Sequence, residues 1–116
     1  MSEAKDKALS LIADLTQKNL LNKIVAQIEK DLSRAGVTED YYDLNKEGLF
    51  EALQAVLNRL IIDKTDLLYT FLYTVDVSEI SIRNIVERNT HIGVDELVHL
   101  ILKREYMKIA YRAGFL

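Results

Sequence analysis

Apolar residues recur along most of this chain at intervals of three and four, the spacing that builds one greasy face on a helix. Over about 18–35, Leu20, Leu21, Ile24, Val25, Ile28 and Leu32 follow it closely. A preceding segment, about 3–15, carries Ala4, Ala8, Leu9, Leu11, Ile12 and Leu15. Neither Gly nor Pro separates the two. At 100° per residue, however, their apolar arcs are rotated by roughly 150° from one another. One straight helix could not bury both against one core. This places a break near 16–19, with Thr16 or Asn19 as the cap of the second helix. The alternative is a continuous helix that gives its first half to a partner chain. Gly36 should end the second helix, with Val37 making the hydrophobic contact that accompanies such an ending.

A polar connector over 38–45 presents adjacent tyrosines, Tyr41 and Tyr42, which cannot share a helix face. One is expected to pack and the other to be solvated. The third helix runs over about 46–62 behind Asn45 as N-cap, with Leu49, Leu53, Val56, Leu57 and Leu60 inward. After a turn at 63–65 comes Leu67–Val75, LLYTFLYTV, which carries no charge. A helix without a polar face is normally buried, so this segment is expected at the centre of the fold.

Its four-residue tandem stacks Tyr69 over Tyr73 on a helix. On a strand it would put Tyr69, Phe71, Tyr73 and Val75 on one face, and its Tyr, Thr, Phe and Val content suits a strand. Helical flanks and a cap at Thr65 or Asp66 decide for helix. The prediction is an all-α, single-domain bundle of five or six helices, residues 1–116, around a buried central helix at about 66–75. The alternative is an α+β fold with a hairpin near 67–82.

A further helix over 78–88 starts at Ser78 or Ser81 and turns Ile82, Ile85 and Val86 inward. A connector at 89–94 contains Gly93, and Asp95 caps the last helix, 95–112, which precedes a Gly114-Phe115-Leu116 tail. That helix has three apolar sides. Val98, Leu102, Tyr106 and Ile109 share one arc of roughly 80° and should face the core. Leu100, Met107 and Tyr111 lie on a second, and Leu97 and Ile101 on a third. Such a helix is either deeply enclosed or makes a contact with another molecule. Leu100, Met107, Tyr111, Phe115 and Leu116 are therefore the candidate interface of a homodimer.

Composition narrows the classes. Of 116 residues, 49% are hydrophobic and 28% charged, with no proline and four glycines, which suits a helical domain rather than a turn-rich β fold. Without cysteine there is no disulfide, thiolate metal site or cysteine nucleophile. No 18-residue apolar window or signal-like N-terminus is visible, so a cytoplasmic protein without a membrane span is expected. A net charge of −3 makes nucleic acid an unlikely principal partner.

Candidate chemistry is sparse. Asp95 and His99 are four apart but make only two ligands, and His91 has no partner spacing, so no metal or cofactor is expected. Neither GxGxxG nor a GKS/GKT phosphate loop is present, and acidic pairs such as Asp63 and Asp66 flank a turn. Arg104, Lys108 and Arg112 form a basic stripe at i, i+4, i+8, which could select an acidic protein partner or complement the helix dipole. The expected function is a non-enzymatic interaction or assembly module, self-associating through its last helix. Two alternatives are a nucleic-acid-associated helical regulator using that stripe, and a small apolar-ligand binder lined by Tyr69, Tyr73, Tyr106 and Tyr111.

Overall fold

The computed structural model describes residues 3–45, 48–88 and 91–114, with 86–88 and 91–92 as backbone alone. The break expected near residue 18 is present. Helix α1 spans Glu3–Gln17 and α2 spans Leu21–Arg34. Between them Asn19 takes a left-handed conformation, φ 58°. Its amide donates to the Thr16 carbonyl at 3.2 Å, and the Leu20 amide donates to the Leu15 carbonyl at 2.9 Å. These paired bonds close a helix C-terminus, and Leu15 and Leu20 both enter the core. Asn19 thus ends α1 instead of capping α2. The Thr16 hydroxyl is also occupied, donating back to the Ile12 carbonyl at 2.9 Å. Leu20 stands at the N-cap of α2 without a side-chain cap bond.

The same closure recurs where α2 ends. Gly36, φ 91°, donates to Ser33 and Val37 to Leu32, as the sequence predicts. In the connector that follows, a short 3₁₀ turn spans Glu39–Tyr41. Both tyrosines there are half-buried against the core, correcting the expectation of one packed and one solvated. Arg59 explains Tyr41: its guanidinium lies 4.4 Å from the ring centroid while Nη1 donates to the Asp40 carbonyl at 2.9 Å.

Helix α3, Leu49–Asp63, starts later than expected. Gly48, not Asn45, is its N-cap, and Gly48 C=O accepts the first helical bond, from Ala52. Residues 46–47 lie outside the described residues. A glycine at the helix boundary avoids the entropic cost it would carry inside the helix.

Leu67–Val75 is helical, within α4, Thr65–Val75, and there is no strand among the described residues. The threonines that suggested a strand are accommodated by bonding backwards. Thr70 and Thr74 hydroxyls donate to the carbonyls of Asp66 and Thr70 at 2.9 and 2.7 Å. Neither Thr65 nor Asp66 is the N-cap; that position is Lys64, and Thr65 bonds back to Ile61. α4 ends in the same closure as α1 and α2, with Asp76 left-handed at φ 75° and Val77 buried.

α4 buries one side only, through Leu68, Phe71, Leu72 and Val75, and leaves Tyr73 and Thr70 exposed. Helix α5, Glu79–Arg88, starts after Ser78 and buries Ile82 and Ile85. The Val86 side chain lies outside the described residues. Helix α6, His91–Arg112, packs against all five other helices. The bundle is of the expected class, but its hub is α6 rather than segment 66–75. Leu97, Val98, Ile101 and Leu102 are all buried on it, so the first half of α6 is enclosed on two of its predicted apolar sides.

Two sequence expectations at the start of α6 change accordingly. Gly93 is helical and buried, not part of a connector. A Cβ there would lie 3.1 Å from Ile85 Cγ2, so glycine lets α5 and α6 approach closely. Asp95 is one turn inside the helix. Instead of capping it, its Oδ1 accepts a hydrogen bond from Gln54 Nε2 of α3 at 2.9 Å. Residues 89–90 lie outside the described residues. Among those described, no helix is long and apolar enough to cross a membrane.

Candidate functional site

The unusual chemistry of the molecule lies on the second half of α6. Periodicity carries the core arc of Val98, Leu102 and Ile109 straight through Glu105, which is fully buried. On α2, Asp31 and Gln27 occupy the edge of the apolar arc set by Ile24, Ile28 and Leu32, and both are buried. The two arcs face each other, so a glutamate and an aspartate meet in the interior.

Lys108 is placed between them, its side chain only 19% exposed. Its Nζ lies 2.8 Å from Asp31 Oδ2 and 3.2 Å from Glu105 Oε1, and it also donates to the Thr74 carbonyl of α4 at 3.2 Å. Gln27 Nε2 donates to Asp31 Oδ1 at 3.2 Å. Lys108 approaches Glu105 as an ion pair, but neither Glu105 oxygen accepts an aligned hydrogen bond. A protonated Glu105 resolves this, because it donates to Asp31 instead of accepting. Burial and the neighbouring Asp31 push the Glu105 carboxyl up to about 8, against the opposing pull of Lys108. Burial works against ionising Asp31 too. Hydrogen bonds from Glu105, Lys108 and Gln27 outweigh it and hold Asp31 below its ordinary value. The cluster thus sets the two acids apart, Glu105 favouring its protonated form and Asp31 its ionised one.

The sequence-predicted basic stripe is thereby divided. Lys108 is committed to the interior. Arg104 Nη2 lies 2.7 Å from Asp76 Oδ2, tying α6 to the left-handed residue that ends α4. Arg112 is exposed and lines a groove against α2.

The candidate interface residues separate as well. Leu100 packs partly against the core. Met107 is 41% exposed and Tyr111 74%. Phe115 and Leu116 lie outside the described residues. Tyr111 follows Arg104 by two turns and Met107 by one, so both share its side of the helix. Tyr73 and Ile80, 54% and 72% exposed, stand three residues before and four after Asp76. The Arg104–Asp76 pair therefore ties α6 to the junction between α4 and α5, and each of these three helices carries a large exposed apolar group. Neither residue is among the predicted interface, the sequence placing Tyr73 with the candidate pocket tyrosines; Ile80 broke the inward pattern of its helix, which was the available signal.

Of the other tyrosines, Tyr69 and Tyr106 pack partly on the core, and Tyr106 Oη accepts a hydrogen bond from Lys18 Nζ at 2.9 Å. The four tyrosines thus do not share one enclosed surrounding. His99 borders a shallow depression along α1, with burial and the nearby Lys103 and Lys7 holding its pKa down. Among the described residues no group of three His, Asp or Glu side chains could hold a metal ion. Comparison with protein-family models, curated proteins and solved structures finds no match for this chain.

Proposed function

We propose that this chain is a non-enzymatic assembly module that associates with a second copy of itself through the C-terminal half of α6. The observation that carries the reading is the exposure of Met107 and Tyr111 on the helix that packs against all the others, with Tyr73 and Ile80 exposed on the two helices that flank Asp76. Single exposed apolar residues, such as Leu9 on α1, are ordinary, and Ile61 and Ile62 form one adjacent pair at the end of α3. Four large ones on the helices that meet at the Arg104–Asp76 pair have the composition of an interface centre.

The occupant follows from the charges. Arg104 and Asp76 give the patch one group of each sign, so the patch is complementary to its own copy across a two-fold axis. In that contact aromatic and thioether side chains supply the buried area, and the ionic pairs set register. Sedimentation velocity on the purified chain tests the reading: reversible dimerisation with rising concentration is expected. A monomer throughout the accessible range would overturn it.

A further inference from the structure

Beyond self-association, we propose that the groove between α2 and the last turn of α6 binds an oxyanionic small molecule, one bearing phosphate or carboxylate groups on a short apolar frame. The groove encloses about 370 Å³, within the usual range of small-ligand sites. Its cations are Lys23 and Lys30 from α2 and Arg112 from α6, its apolar lining is Ala26, Ile109 and Ala113, and no acidic side chain lines it.

The spacing explains why these residues converge. Lys23, Ala26, Gln27 and Lys30 stand at i, i+3, i+4 and i+7, one stripe of α2. Ile109, Arg112 and Ala113 repeat that spacing on α6. The two lysines are separated by about 10 Å along the helix axis, so positive charge flanks the groove at both ends, with Arg112 on the opposite wall.

The balance of charge is unusual for this chain, which has 18 acidic residues against 15 basic ones. Arg104, Lys108 and Lys18 each have an acidic partner, whereas Lys23, Lys30 and Arg112 have none among the described residues. Dipole complementation accounts for Arg112, in the last turn of its helix. It does not account for Lys23, which stands in the first turn of α2, where a cation opposes the dipole. The carboxylate beneath the groove does not neutralise these cations, because Asp31 is buried and already engaged by Gln27 and Lys108. An anion in the groove would complete the charge pairing that the fold leaves open, while its apolar frame covers Ala26 and Ala113.

Titration of the full chain with inorganic pyrophosphate, and separately with succinate, followed by amide NMR at low ionic strength, tests this. Saturable shifts confined to residues 23–30 and 109–113 are expected with at least one of them. Lys30→Glu combined with Arg112→Glu should weaken that binding at least tenfold. The milder Arg112→Gln, should the double variant fold poorly, should weaken it threefold or more. Lys103→Glu, on the opposite side of α6, should leave it unchanged. The proposal is overturned if neither anion saturates, if sodium chloride at matched ionic strength reproduces the shifts, if Arg112→Gln binds like the parent, or if Lys103→Glu weakens binding as much.

Discussion

Glu105 titrates inside a packed interface, so its protonation is coupled to folding. Its folded pKa, about 8, lies above the ordinary 4.5. Folding therefore favours the protonated form, and its contribution to stability is complete below pH 4.5. That contribution is lost as pH rises from there through 8, and the loss then levels off. Asp31 acts in the opposite sense. Its pKa is lowered, so its contribution is present above its ordinary 3.8 and disappears on acidification. Together they place the cluster's optimum in mildly acidic solution. Glu105→Gln keeps a donor for Asp31 but cannot ionise. It should flatten the loss of stability toward alkaline pH and raise stability at pH 9 by roughly 2–4 kcal/mol, read from urea unfolding across pH. Equal pH dependence in variant and parent would refute the assignment. Lys108→Met leaves Asp31 buried without its cation and should cost about 3–5 kcal/mol at neutral pH.

Asn19 offers a cleaner single-residue test. It is exposed and left-handed, and glycine adopts that conformation without the Cβ penalty. Asn19→Gly should stabilise the chain by about 0.5–1 kcal/mol, and Asn19→Val should destabilise it by at least as much, measured as shifts in the unfolding midpoint.

At the level of elements, three helices end in the same way for reasons of different legibility. Gly36 is readable because glycine is the usual left-handed residue. Asn19 and Asp76 are not, because either can also cap a following helix, and only the backbone bonds decide between the two roles. The strand-like composition of LLYTFLYTV misleads for a related reason. Its threonine hydroxyls return to carbonyls four residues back, so the helix tolerates them. Gly93 is the converse case, a glycine that looks like a turn and serves as a contact. Gly93→Val should force Ile85 and α5 away from α6 and destabilise the protein by about 1–3 kcal/mol, visible in thermal melts. A melt unchanged from the parent would remove the close-packing explanation.

For the molecule as a whole, the proposed self-association through α6 makes its own predictions. Met107→Asp and Tyr111→Asp alter exposed side chains, so the helical circular dichroism should persist while the dimer weakens by tenfold or more. A dimer insensitive to both would place the contact elsewhere. The Arg104 and Asp76 charges in the patch also predict weaker association as salt rises.

The chain's own pattern determined that it is helical, where most helices begin and end within a few residues, and which arc turns inward on helices with a polar face, because apolar periodicity is a local property; on α4, which has no charged face, packing chose the buried side. It also contained Glu105 and Asp31 within or beside those arcs. Periodicity cannot say what a charged residue there will meet, since that depends on which two arcs face each other. Tertiary packing alone chose α6 as the hub, set Lys108 between two acids, tied Arg104 to Asp76, and left Arg112 with Lys23 and Lys30. Apart from Lys108 and Glu105, neighbours on one helix, those pairings join residues between 28 and 89 positions apart, as the Arg104–Asp76 pair and the Lys23–Arg112 groove show. Burial decides the energetics of the Lys108 cluster, because the same charges in water, like those of the exposed Arg104–Asp76 pair, would contribute little to one another.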